Sequence, residues 1–281
     1  MVRIDQELFE SYVPAFTNAT DELWLMVRPL VERALSSLSV YGDAVALDKL
    51  KEKVACLMGA RDVIPHVDMV ATPQGFAVVR NEHLVPASKD RVDALKESIR
   101  RMLSDGLDAL QMTALRYGWG ERAEAKALVN NLVWCATIAR EIGLHAPNDA
   151  LHVAGQRSLL HDRASGLMVY DTEFLNIHPR LMRAHYDLCR VISPEQMDVL
   201  LGCELSPGSY TPALWVLRNT CMDYICAHFS GYETVVQERR LLNVLRGDVS
   251  SYGAWAESAV RRSQEMGGYE NRDGDAVFFF G

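Results

Sequence analysis

The sequence predicts a mainly α-helical chain made of two related helical-bundle halves, each with a small β-hairpin or strand element. Three observations carry that prediction. Apolar residues recur at helical spacing over most of the 281 residues. Glycine and proline fall between these stretches as punctuation. The chain also resembles itself when shifted by 150 positions.

The first helix with a clear face runs from Asp21 to Leu38, with Leu23, Val27, Leu30, Ala34 and Leu38 on one side. Thr20 is its expected N-cap, and acids follow in the first turn. Asp43 is expected to cap a second helix with Val45, Leu47, Leu50, Val54 and Leu57 as apolar positions. The pattern changes after Ile64-Pro65. Two short β-prone runs, Asp68-Met69-Val70-Ala71 and Phe76-Ala77-Val78-Val79, flank Thr72-Pro73-Gln74-Gly75. Proline presets φ there and glycine accepts a positive φ, so a β-hairpin is expected over about 68–81. Ser88 then opens a helix through Val92, Leu95, Ile99 and Leu103.

A long helix is expected from about Glu121 to Ile142, ended by Gly143 and Pro147. Residues 144–170 give no regular pattern. Helical spacing returns near 172–190, 194–202, 211–229, 232–246 and 250–266, and Gly267-Gly268 ends the last. In the tail, Asp273-Gly274 precedes Ala276-Val277-Phe278-Phe279-Phe280, a turn followed by a terminal strand over about 269–281. The expected domains are 1–165, with the hairpin, and 166–281, with the β-prone tail.

Under the 150-residue shift, Asp21 falls on Asp171, Pro29 on Pro179, Arg33 on Arg183, Ala34 on Ala184, Leu38 on Leu188, Asp48 on Asp198 and Leu50 on Leu200. With Leu25 on Leu175 that is eight identities in thirty ungapped positions, where about two would occur by chance. The shared proline sits about two turns into each helix, where it removes a backbone donor and favours a kink. An ancient duplication explains this pattern better than two unrelated amphipathic helices.

Composition narrows the function. The net charge of −8 offers no overall field for bulk phosphate binding, though a local basic patch can sit within an acidic total. No stretch approaches a membrane span, and the N-terminus reads unlike a secretory signal. Six cysteines without a CxxC pair read as buried free thiols in a reducing compartment. The nucleotide, nucleophile-elbow, zinc-protease and EF-hand motifs are missing. Gly118-Trp119-Gly120 reads as a turn, as does Asp273-Gly274-Asp275. His178 and His185, seven apart with Asp187 nearby, could share a helix face, but helical ligand pairs are usually four apart. No metal, cofactor or catalytic residue is therefore expected. Trp24, Trp134, Trp215 and Trp255 fall at positions consistent with helix cores.

Four segments carry a family resemblance: the helix with Trp24, Pro29, Arg33, Ala34 and Leu38; Ala55-Cys56-Leu57-Met58-Gly59-Ala60-Arg61; Thr72-Pro73-Gln74-Gly75-Phe76; and Pro86-Ala87-Ser88-Lys89-Asp90-Arg91-Val92. The aromatic tail from Tyr269 to Gly281 is similar too. Together they resemble head-to-tail connector (neck, adaptor or head-completion) proteins encoded in the structural gene clusters of tailed bacteriophages and prophages. The resemblance implies a non-enzymatic virion protein assembled in the host cytoplasm as a homo-oligomeric ring below the portal. Its partners would be the portal and neighbouring tail or neck proteins, and DNA would pass through without sequence-specific binding. The expected interface residues are Thr72, Pro73, Gln74, Gly75 and Phe76 at the hairpin and Phe278, Phe279 and Phe280 in the tail. The alternative is a cytosolic helical enzyme or regulatory protein whose site is assembled from scattered residues.

Overall fold

The computed structural model describes residues 4–17, 21–67, 70–72, 75–77, 89–144 and 172–265. Contacts divide the chain into two units, one running to Arg122 and the other taking 123–144 with 173–265 among these residues. Both are mainly helical.

In the first unit, α1 (Gln6–Tyr12) is capped by Asp5, whose carboxylate accepts from Leu8 N at 2.9 Å. Helix α2 (Asp21–Ser37) starts with two acids that suit the positive end of its dipole. Its proline, Pro29, lies on the exposed side, where water can satisfy the carbonyl that the missing N–H leaves free. Val27, Val31 and Ala34 face inward. Helix α3 (Val45–Val67) packs against both α2 and α4 (Lys89–Arg116). It is therefore buried nearly all round at Val54, Ala55, Cys56, Leu57 and Ala60. Gly59 permits the closest approach to α2, since a Cβ there would lie 2.5 Å from Val31 Cγ2. Helix α4 contributes Ile99, Leu103, Leu107, Leu110 and Ala114, a stripe at three- and four-residue spacing. Tyr41 closes one end, 4.8 Å from Trp119 by ring centroids and accepting from Gln111 Nε2 at 3.1 Å. Val45, expected inside, is 82% exposed, because the helix begins there and its first turn leads with the opposite face.

Among the described residues the β structure is one short antiparallel pair. Val70–Thr72 (β1) and Gly75–Ala77 (β2) pair antiparallel, with Val70 opposite Ala77, Ala71 opposite Phe76 and Thr72 opposite Gly75. Three residues per strand is too little for an independent element. Residues 68–69, 73–74 and 78–88 lie outside the described residues, as does the expected tail strand.

The second unit begins with α5 (Ala123–Leu128) and α6 (Ala136–Glu141). The single helix expected over 121–142 is therefore broken. Asn131 is the cause: its Oδ1 accepts from Val133 N at 2.8 Å and its Nδ2 donates to Asn130 Oδ1 at 2.8 Å, bonds that replace the helical ladder. The domain boundary expected near residue 165 also differs for this segment. Asn131 Nδ2 reaches Met182 Sδ, Trp134 Nε1 reaches Glu204, and Cys226 Sγ reaches the carbonyl of Ile142, all within the second unit.

Helix α7 (Thr172–Ile192) carries Pro179 on its exposed side and buries Ile177, Leu181, Ala184 and Leu188. Ser193, at φ 73° and ψ 152°, turns the chain and caps α8 (Pro194–Leu205) by accepting from Gln196 N. Helices α9 (Pro212–Phe229) and α10 (Val235–Gly247) follow, packed on one another. The helix expected over 250–266 is split into α11 (Gly253–Ala256) and α12 (Ala259–Glu265), because Ser258 Oγ accepts from Arg261 N and starts a new helix.

Candidate functional site

Among the residues expected to form an interface, only Thr72, Gly75 and Phe76 fall in the described strands. Pro73, Gln74, Phe278, Phe279 and Phe280 lie outside the described residues. The histidine pair does not assemble with Asp187. His178 packs its ring against Phe174, and His185 Nε2 faces Cys189 Sγ at 3.8 Å. Burial holds both imidazoles below their ordinary pKa. Among the described residues, no group of three or more His, Cys, Asp or Glu is placed to hold a metal. All six cysteines are free thiols. Burial pushes Cys56 up to about 12 and Cys189 to about 11, so neither is primed as a nucleophile.

The most constructed site is around Trp215, in the second unit. Sequence periodicity placed this residue in a core, but it is 48% exposed. The inward stripe of α9 uses Leu214, Leu217, Cys221, Tyr224 and Ile225, which leaves Trp215 about 100° off that face. Its orientation is nevertheless fixed. Tyr210 meets the ring edge-on at 4.9 Å, and the Arg218 guanidinium lies over it at 5.0 Å. Both supports are anchored on Glu204, which is buried at the end of α8. Glu204 accepts from Tyr210 OH at 2.7 Å, from Trp134 Nε1 at 3.2 Å and from Arg218 Nε. Burial and then the Glu204 charge push the Tyr210 phenol upward, keeping it a neutral donor. Burial works against the Arg218 charge, yet the bond to Glu204 holds its pKa above the ordinary value. The result is a half-exposed indole held rigid by a satisfied buried ion pair. Val216 beside it is also exposed. Glu204 and Arg218 are fourteen residues apart with no motif between them, so sequence spacing offered no signal.

A second feature of the same unit is an open groove of about 870 Å³ between α7, α9, α10 and α12. His228 Nε2 lies 3.2 Å from Asp187 Oδ2 on its wall, and Arg190 lies 3.4 Å from Asp187 Oδ1. Thr234 Oγ1 donates to Glu238 Oε1 at 2.7 Å.

Residues 24–113 match a family described as "Family of unknown function (DUF6712)". That span is less than half of the chain and coincides with α2, α3 and most of α4. No curated protein matches. No solved structure matches.

Proposed function

We propose that this chain is a structural component of a tailed-phage particle, a head-to-tail connector that acts by self-association and by contacts to the portal and neighbouring neck or tail proteins. The observation that carries the proposal is the rigid, half-exposed Trp215 with Val216 beside it. Tryptophan held in place before binding loses little entropy on burial and is enriched at the energetic centres of interfaces. The sequence resemblance to connector proteins supplies the identity of the assembly. In this reading the hairpin residues Thr72 to Phe76 and the tail residues Phe278 to Phe280 add further contacts by strand addition. The chain assembles in the host cytoplasm and resides in the virion.

The same reading includes a duplicated origin. Val27, Val31, Ala34, Leu38 and Leu47 are buried in the first unit, and the positions 150 residues on, Ile177, Leu181, Ala184, Leu188 and Met197, are buried in the second. Pro29 and Pro179 both lie inside helices on exposed faces. A residue of positive φ, Gly42 or Ser193, then separates each helix from the next.

The experiment is to purify the full chain, determine its mass in solution, and image it and the phage particle by electron microscopy. Rings of identical subunits, and labelled protein at the neck of the particle, are expected. Trp215→Ala should lower the assembled fraction at least tenfold while leaving the helical content unchanged. A protein that stays monomeric at all concentrations and is missing from purified particles would end this reading. The second reading, a cytosolic enzyme or regulator, would use the groove, where His228 is held by Asp187 in the manner of a carboxylate-oriented base. Loss of a small-molecule ligand from His228→Gln would favour it.

A further inference from the structure

Helices α2 and α7 each carry one outer line of residues that is the same in both. In α2 it is Leu25, Pro29 and Arg33, and in α7 it is Leu175, Pro179 and Arg183. Steps of four place three residues on one side of a helix over about 12 Å of its axis. Leu25 is 68% exposed, Leu175 is half-buried, and both prolines and both arginines are exposed. Packing explains why Val27 and Ile177, or Val31 and Leu181, are alike inside. It does not explain identity outside. The outer positions beside the line differ: Met26 corresponds to Asn176, Arg28 to His178 and Glu32 to Met182.

Each line also holds a donor and an acceptor that lacks its usual partner. A proline has no N–H for the carbonyl four residues earlier, so Pro29 deprives Leu25 O, and Pro179 deprives Leu175 O, of the helical donor. Among the described residues neither Arg33 nor Arg183 makes an ion pair. Elsewhere in this chain arginines fill carbonyls at helix ends. Arg180 Nη2 donates to Phe229 O at 2.6 Å, and Arg261 Nη1 donates to Ala256 O at 3.3 Å.

We infer that the α2 line of one copy of this chain docks antiparallel on the α7 line of a second copy. With Pro29 opposite Pro179, residues at equal and opposite distances along the two helices meet. Arg33 then reaches Leu175 O and Arg183 reaches Leu25 O, with each leucine side chain against an arginine stem. Met26 meets Met182, and exposed Glu22 meets Tyr186, whose hydroxyl can donate to the carboxylate. A parallel pairing would set Arg33 on Arg183, which repel. Pairing α2 with α2 would set Met26 against Glu32, and pairing α7 with α7 would gather Arg180 and Arg183 from both copies. Arg28 and Arg180 flank the centre of the chosen pair, but each is already held, by Glu32 at 2.8 Å and by Phe229 O. The contact joins two different helices, so each copy keeps one line free and association continues until it closes on itself. The inference deepens the proposed self-association. It rests on that reading for the existence of an oligomer and not for a place in the virion.

The test uses the full chain. Glu22→Cys and Tyr186→Cys, made in separate chains, should give a disulfide-linked dimer when mixed and oxidised, with the joined peptides identified by mass spectrometry. Neither should do so by itself, and a chain carrying both changes should link into a series of copies. Arg33→Gln or Arg183→Gln should weaken association in sedimentation equilibrium about tenfold, the worth of one hydrogen bond from a charged group. Pro29→Ala separates docking from folding. It restores the helical N–H, so it should protect the α2 amides from hydrogen exchange while weakening association about tenfold. A proline merely tolerated in water would give the first effect without the second, and that result would overturn the inference. So would the absence of a 22–186 cross-link between chains, or an internal bond that leaves the doubly changed chain a monomer. A wild type that associates, loses association in Trp215→Ala and shows none of these effects would refute this interface alone. A wild type that stays monomeric would refute the self-association with it.

Discussion

Gly59→Ala tests the packing on which the first unit depends. A Cβ at position 59 would stand 2.5 Å from Val31 Cγ2 and 3.3 Å from Val31 N. Ordinary carbon–carbon contact is about 3.5–4.0 Å, so α2 and α3 would have to part by about 1 Å or Val31 would have to leave its rotamer. Neither is easy: Val31 is 1% exposed, its side chain is branched at Cβ, and its own backbone lies directly behind it. Overpacking of this kind costs about 1–3 kcal/mol, while replacing glycine inside a helix returns about 1 kcal/mol. The expected net loss is about 1 kcal/mol. The double variant with Val31→Ala is sharper, because removing the two methyl groups makes room for the new one. Val31→Ala alone should cost about 2 kcal/mol, and the pair should cost less than the sum of the singles by at least about 1 kcal/mol. Two units can unfold separately, so hydrogen exchange of the α2 and α3 amides is the appropriate readout. Additive costs, or a Gly59→Ala protein more protected than wild type, would show that the close approach at Gly59 is not a constraint.

Ser193→Gly should stabilise the second unit by about 1 kcal/mol, since a serine at φ 73° and ψ 152° carries about 1–3 kcal/mol of strain and its cap on Gln196 N is worth only a few tenths relative to glycine. Ser193→Ala should destabilise it, and chemical denaturation that ranks alanine above glycine would contradict the strain. For pH, the hydrogen bond from Arg100, helped by Arg101, holds the Glu97 carboxyl at about 2 rather than 4.5. A folded pKa below the unfolded one gives stability that is present above pH about 4.5 and lost as pH falls toward 2. Glu97→Gln should therefore flatten the acid limb of the stability curve of the first unit, by a small amount because the side chain is 43% exposed and screened by solvent.

Helical content was legible because it is written in local spacing. The inward stripes of α4 and α7 appear in the sequence as rows at three and four residues. Breaks set by single side-chain hydrogen bonds were not legible. The Asn131 amide ends one predicted helix and the Ser258 hydroxyl splits another, yet either residue would also be tolerated on the outside of a continuous helix. The Trp215 site was misread for a related reason. Periodicity assigns a residue to a face within a helix, but α9 is apolar on more than one face, so the pattern did not distinguish the buried stripe from the exposed indole. The Glu204–Arg218 pair that orients the indole joins two helices and could not be found from spacing within either.

The family match and the duplication reading overlap only over the first helix of the match and the start of its second. The match covers α2 to α4, the three helices in which Gly59 sets the closest contact. The shared positions of the two halves extend only through the first of those helices and the start of the second. Beyond that the two segments differ physically: α3 runs 23 residues and is buried by neighbours on two sides, whereas α8 runs 12 and carries Glu204 in its last turn. A helix buried on both sides cannot place a charged residue at its midpoint without a partner, and a short one can present its last turn to the surface. Under the duplication reading, the shortening of that second helix is what freed Glu204 to receive Arg218 and to hold Trp215 outward. The feature that carries the proposed assembly role would then be an acquisition of the second half, with the first half retaining the packed three-helix core.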